Sequence, residues 1–186
     1  MAVYRTPKQY ADLARDSKYD KLTYSQYDCQ AFCELVLRDL GIRKSDGAVY
    51  NWKGSNDMAR NAVSWIGTKE ECIKQFGSIP AGAWAFIWDN TGNERKRGYN
   101  DGKGNFCHVG IYVGDNIVRD STIIKSAGKI IRDGIGNRPL SAFNRIGFCK
   151  LLDFNGETPY NKNEEIIKNI SSIRKMLDDI ERLVQE

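Results

Sequence analysis

Apolar positions along the chain switch between a helical and a strand period, and the switches divide it into elements. In residues 6–16, Tyr10, Leu13 and Ala14 share one helical face. Residues 19–27 are polar and tyrosine-rich, which predicts a loop. Over 29–40 the apolar positions Phe32, Leu35, Val36, Leu37 and Leu40 recur with helical spacing; Asp28 stands where an N-cap stands and Gly41 where a helix stops. Residues 56–65, with Met58, Ala59, Ala62, Val63 and Trp65, have helical composition, and 68–76 read as a short helix with Thr68 and Glu71 as a capping box. Four strand signatures follow, at 83–88, 108–114, 117–123 and 146–154. Gly114-Asp115-Asn116 predicts a hairpin turn between the second and third. Residues 89–105 form a polar, Gly-rich excursion, longer than hairpin loops usually are, and residues 128–142 read as a second Gly-rich, basic loop. Helices first and an antiparallel β-meander afterwards define an α+β domain, placed at 1–154.

Beyond it, the composition of 155–163 is that of a linker. Over 164–186 the pattern changes: Ile166, Ile170, Ile173, Leu177, Ile180 and Val184 recur at alternating spacings of four and three. Two readings stand, a coiled coil that makes the protein a homo-oligomer and an amphipathic helix packed on its own domain. The linker and the strict spacing favour the coiled coil.

Composition narrows the function classes. The chain of 186 residues is 41% hydrophobic and 11% aromatic, which excludes a disordered polymer. No apolar run approaches the roughly 18–20 residues of a membrane span, and the first eight residues carry no apolar signal core. The expectation is a protein cytoplasmic at synthesis, without membrane insertion. A net charge of +4 suits contact with an anionic polymer but is too weak to indicate nucleic acid. The five cysteines, Cys29, Cys33, Cys72, Cys107 and Cys149, contain no metal-type spacing, so neither a disulfide framework nor a zinc site is expected, and no cofactor is implied.

One number organises the chemistry: the chain has a single histidine, His108. Cys29 falls in the first turn of the 29–40 helix, where unpaired N–H groups and the positive end of the helix dipole favour a thiolate and an oxyanion. The other four cysteines are read as small core fillers. His108 opens a strand and points its ring at whatever packs on the sheet. If the Cys29 helix packs there, the two form a thiolate–imidazolium dyad. A third group usually orients the imidazole. The hairpin turn brings Asp120, on the next strand, near the start of the His108 strand.

The motifs Asp28-Cys29-Gln30-Ala31-Phe32, Ile79-Pro80-Ala81-Gly82-Ala83-Trp84-Ala85-Phe86 and His108-Val109-Gly110-Ile111-Tyr112-Val113-Gly114, in that order, resemble the NlpC/P60 family of papain-like cell-wall cysteine peptidases over roughly residues 20–153. The resemblance implies a papain-like fold with the N-terminal helices packed on the meander. It implies Cys29 as nucleophile, His108 as general base and acid, and peptidoglycan stem peptides as substrate, cleaved at a D-glutamyl–diamino acid type of bond. The third residue is often His in that family. Counting forward without a gap from the His108 strand places Asp120 there; matching the small residues that follow places Arg119, which has no acceptor for an imidazole N–H, so chemistry selects Asp120. The chain departs from the family pattern at Gln30 and Ala31, in its Pro80-Ala81-Gly82-Ala83 turn, and in the insertion at 89–105. The family's aromatic residue upstream of the nucleophile has three candidates, Tyr19, Tyr24 and Tyr27.

A start without a leader fits action on the wall after phage lysis or as part of a virion. Two other readings are a CHAP-like amidase using the same dyad on another peptidoglycan bond, and a non-catalytic wall-binding or assembly module with a decayed triad. Basic residues in the two Gly-rich segments, Arg95, Lys96, Arg97 and Lys103, then Lys125, Lys129, Arg132 and Arg138, are candidates to line an anionic substrate groove or to be solvated loop charge.

Overall fold

In the computed structural model, which describes residues 5–154, helix α1 runs Pro7–Ala14 behind a capping box made by Thr6 and Gln9. Helix α2, Cys29–Asp39, begins where the Asp28 carboxylate accepts the Ala31 N–H at 2.8 Å. Such a cap stabilises a helix start by about 1 kcal/mol. The face of α2 carrying Phe32, Cys33, Leu35, Val36 and Leu37 is buried, and the helix packs on the sheet. Two shorter helices follow, α3 at Ser55–Asn61 and α4 at Lys69–Phe76, the latter opened by the Thr68–Glu71 capping box.

The sheet has six antiparallel strands in the order β1-β6-β2-β3-β4-β5. These are β1 Val63–Gly67, β2 Trp84–Asp89, β3 Asn105–Gly114, β4 Ile117–Ser126, β5 Lys129–Pro139 and β6 Arg145–Cys149. The meander expected from the sequence holds for β2 to β4; β5 extends it beyond β4, and β6 returns to the other side of β2, with β1 outside it. The architecture is therefore α+β, with four α-helices and one antiparallel sheet among the described residues. The linker expected at 155–163 and the helix at 164–186 lie outside the described residues. No helix among the described residues is long and apolar enough to cross a membrane.

Three expectations are corrected. The helix placed over 56–65 ends at Asn61, and Val63–Gly67 is a strand paired with β6. The β-branched and aromatic residues Val63, Trp65 and Ile66 suit a pleated surface, and a strand partner overrides the helical composition. The loop placed over 128–142 is mostly β5, paired along its length with β4 through a turn at Ala127 and Gly128, both with positive φ. The last strand ends at Cys149 rather than at 154.

The core joins the helices to the sheet through Tyr10, Phe32, Trp84 and Phe86, all fully buried. Its polar atoms are partnered: the Tyr10 hydroxyl donates to the Cys33 carbonyl at 2.9 Å and accepts from Trp84 Nε1 at 3.1 Å. Cys33, Cys72 and Cys149 are buried fillers, as read from the sequence, and burial pushes the thiols of Cys72 and Cys149 up to about 12. Cys107 is the exception, exposed on β3.

Candidate active site

Three elements bring Cys29, His108 and Asp120 together. The first is the start of α2. Its segment is tied to the sheet just upstream, where Ser121 Oγ donates to the Tyr27 carbonyl at 2.5 Å. Asp28 takes up the next donors of the helix: its side chain accepts the Ala31 N–H and its carbonyl the Phe32 N–H. The Cys29 and Gln30 N–H groups have no hydrogen-bond partner among the described residues. They are the donors left to meet an oxyanion formed beside the sulfur.

The second element is β3. A register irregularity between Ile87 and Trp88 on β2 leaves Cys107 as the extra residue, while His108 pairs with Ile87. The local bulge turns the exposed Cys107 and the buried His108 out of simple succession. The His108 ring lies against Phe143, with centroids 6.0 Å apart. The Cys29 sulfur lies near enough to the ring to act on its charge.

The third element is β4. His108 Nε2 and Asp120 Oδ2 are 2.6 Å apart, and Asp120 is fully buried. Asp120 sits across from Gly110, one place along from the Ile111–Arg119 pair, so it is the diagonal neighbour of His108 on one face of the sheet. That diagonal is open because residue 110 has no side chain. A Cβ there would fall 2.6 Å from Val118 Cγ1 and 2.9 Å from Asp120 Cβ. We expect Gly110→Ala to destabilise the fold by about 1–3 kcal/mol through overpacking. It should also lower the pKa of His108 by pushing Asp120 away, read as the pH at which the histidine ring proton signals titrate in NMR. A wild-type titration in this variant would show that the glycine does not set the contact.

Asp120 has two further partners. Arg132 Nη2 donates to Oδ1 at 2.6 Å and Arg138 Nη1 to Oδ2 at 3.1 Å, both from β5. Gly136, opposite Asp120 in the β4–β5 register, makes room for this: Arg132 folds back over it, its Cδ 2.8 Å from where a Cβ would stand. Burial alone raises the Asp120 pKa, but His108 and Arg132 outweigh it and hold the carboxyl below its ordinary value. Burial likewise lowers the His108 pKa, and is outweighed by the hydrogen bond to Asp120 and by the charge interaction with the nearby Cys29 sulfur, which push it up to about 9. The imidazole is therefore an imidazolium at neutral pH. With Nε2 committed to the carboxylate, Nδ1 is the nitrogen left for the sulfur.

Arg119, the other candidate for the third position, faces elsewhere: it donates to Asp20 at 2.5 Å and to the Ala14 carbonyl at 3.2 Å. Sequence reasoning missed Arg132 and Arg138 as partners of Asp120, placing them in a loop as candidates to line a substrate groove or to be solvated charge. The missing signal was β5 itself, whose pairing with β4 sets both guanidiniums beside the carboxylate.

A cavity of about 450 Å³ opens at Cys29 and is bordered by Tyr24, Asn56, Cys107 and the basic residues Lys53, Lys96 and Arg97. Of the three tyrosines upstream of the cysteine, Tyr24 borders it; Tyr19 is a core residue whose hydroxyl donates to Asp39 at 2.9 Å. Among the described residues no cluster of His, Cys, Asp and Glu could hold a metal ion. No family model matches the chain, and no curated protein matches it in sequence.

Proposed function

We propose that the protein is a cysteine hydrolase of peptidoglycan with a papain-like NlpC/P60 domain, cleaving a stem-peptide amide of the D-glutamyl–diamino acid type. The observation that carries the hydrolase reading is the His108–buried Asp120 hydrogen bond beside a Cys29 that acts on the His108 charge and borders an open cavity. The wall substrate rests on the resemblance of the Asp28-Cys29 and His108-Val109-Gly110 motifs. The Cys29 thiolate attacks the amide carbonyl carbon, and the oxyanion meets the Cys29 and Gln30 N–H groups. As the C–N bond breaks, the His108 imidazolium gives its proton to the leaving amine, and an acyl-thioester remains. The neutral imidazole then takes a proton from water as that water attacks the thioester, and the departing thiolate restores the ion pair. Asp120 keeps the ring in one orientation and stabilises its charged form.

Purified sacculi digested with the protein and examined by mass spectrometry test the reading. The expected product carries a new D-glutamate carboxyl and a new diamino acid amine. A new muramic lactyl carboxyl would assign an amidase instead. Identical sacculi before and after, across pH 5–9, would leave a wall-binding module and end the hydrolase proposal.

A further inference from the structure

Several cations of this protein have acids beside them. Arg60 pairs with Asp101, Arg119 with Asp20, Arg15 with Asp115, and Arg132 and Arg138 with Asp120. Lys53, Lys96 and Arg97 are set apart by their place: all three border the cavity at Cys29, where none has a carboxylate within ion-pair distance among the described residues. The one acidic residue bordering the same cavity, Asp28, is engaged in capping α2.

The backbone that carries these charges is anchored. Lys96 and Arg97 lie on a 3₁₀ turn, Asn93–Arg97, bracketed by Gly92 and Gly98 in left-handed conformation. The segment around the turn is anchored to α3 and the sheet. Arg60, its side chain 5% exposed, reaches both Asp101 oxygens at 2.8 and 2.9 Å and the Gly104 carbonyl at 2.8 Å. Tyr99 lies over the Arg60 guanidinium, and Trp88 Nε1 donates to the Lys103 carbonyl at 2.8 Å. Asn105 receives a hydrogen bond from Asn56 at 2.9 Å and donates to Asp89. On the other element, Lys53 follows Trp52, whose ring packs edge-on against Trp84 and whose N–H donates to Glu34. Burial, Cys29 and Asp28 raise the Tyr24 pKa and Arg97 lowers it, which sets the guanidinium near a ring that borders the same cavity.

We propose that Lys96 and Arg97 of the 89–105 insertion, together with Lys53, form an anion subsite that binds a free carboxylate of the substrate next to the scissile amide. The inference rests on the reading of Cys29 as the attacking group and adds a requirement to it: the substrate is acidic at that place, and a substrate amidated there is a poor one. Cations lining a cleft raise the local concentration of an anionic ligand by about 10-fold or more.

Alkylation of Cys29 tests the field without any turnover. Iodoacetate and iodoacetamide differ by one negative charge, and each adduct is read on the peptide that carries Cys29, so that Cys107 does not interfere. The iodoacetate-to-iodoacetamide rate ratio is expected to fall about 10-fold in the double variant Lys96→Gln/Arg97→Gln, and to fall less in Lys53→Gln. Added salt should reduce the ratio in the wild type more than in the double variant. The imidazolium is common to all of these proteins and cancels in the comparison. A ratio unchanged by the double variant overturns the proposal.

A pair of stem peptides, free acid and carboxamide at the D-glutamate position, tests the substrate requirement. The wild type is expected to cleave the acid at least 10-fold faster, with the ratio falling toward one in the double variant. Equal cleavage of acid and carboxamide by the wild type would sink the subsite and leave the hydrolase standing. If neither peptide nor sacculi are cleaved, the hydrolase reading falls, and the affinities of the two peptides for the Cys29→Ala protein decide the subsite by the same ratio. Melting temperatures within a few degrees of wild type identify the variants as folded.

Discussion

Replacing Cys29 by alanine is expected to lower peptidoglycan turnover by on the order of 10⁴-fold or more, as removal of a covalent nucleophile does when the rest of the site remains. The same substitution should cost little stability. Cys29 is 8% exposed at the edge of the cavity, and the deleted atom is a single sulfur, so the packing loss is about 1 kcal/mol. His108→Ala is expected to be comparably inactive, since no other imidazole exists in the chain. It too should fold, because Asp120 keeps both Arg132 and Arg138 when the histidine is gone. The double variant Cys29→Ala/His108→Ala should be no slower than either single one. Residues that act as a unit lose their joint contribution with the first removal. Clearing of a wall suspension measures all three, with iodoacetamide labelling of the Cys29 peptide as a second reading: the thiol of His108→Ala should react more slowly at neutral pH than that of wild type. Clearing by Cys29→Ala equal to wild type would remove the sulfur from the mechanism altogether.

Much of this site is written in local signals. Asp28 and Gly41 mark the two ends of α2, and that alone puts Cys29 among the first-turn N–H groups. Asp115 and Asn116 both adopt positive φ in the turn between β3 and β4, the conformation that short Asp- and Asn-containing hairpins need. Given that turn, counting outward from it places Asp120 beside the His108 end of β3. What the sequence hides is tertiary. In β5 only Gly134 and Ile135 are buried, so its eleven residues show no strand period, and its arginines look like solvated charge. Only its pairing with β4, register by register, reveals them as partners of Asp120. The short strand β1 is hidden for a related reason: five residues continuing from a helix are too few to break a helical composition, and the β6 edge decides their conformation. Lys53 and the turn bearing Lys96 and Arg97 are remote from each other in sequence, and nothing local announces that they border one cavity.

Asp120 is where the proposed catalysis, charge and stability meet, and its substitution should be felt in all three. Asp120→Asn keeps the shape and removes the negative charge. The His108 pKa, held at about 9, should then fall, since the charge opposing burial is gone. The alkaline limb of kcat/KM reports loss of the imidazolium. It should lie near pH 9 in the wild type and move toward acid in Asp120→Asn. A drop of about 10²-fold in kcat/KM at neutral pH is expected from the less firmly oriented ring. Stability follows with a definite sign. The histidine pKa is raised on folding from 6.5 to about 9, so its contribution is complete below 6.5 and is lost as pH rises through 9. The Asp120 pKa is lowered on folding from 3.8, so its contribution is present above that value and is lost as pH falls through the folded pKa. Between the two unfolded values, 3.8 and 6.5, both contributions are complete. Thermal melts should therefore show wild type losing stability from about pH 7 to 9.5 more steeply than Asp120→Asn does. Asp120→Ala is the harsher change. It strands Arg132 and Arg138, whose side chains are only 17% and 22% exposed, and should cost about 3–5 kcal/mol. A parallel pH dependence of the two melting curves, with an unmoved alkaline limb, would show that the carboxylate does not hold the proton on His108.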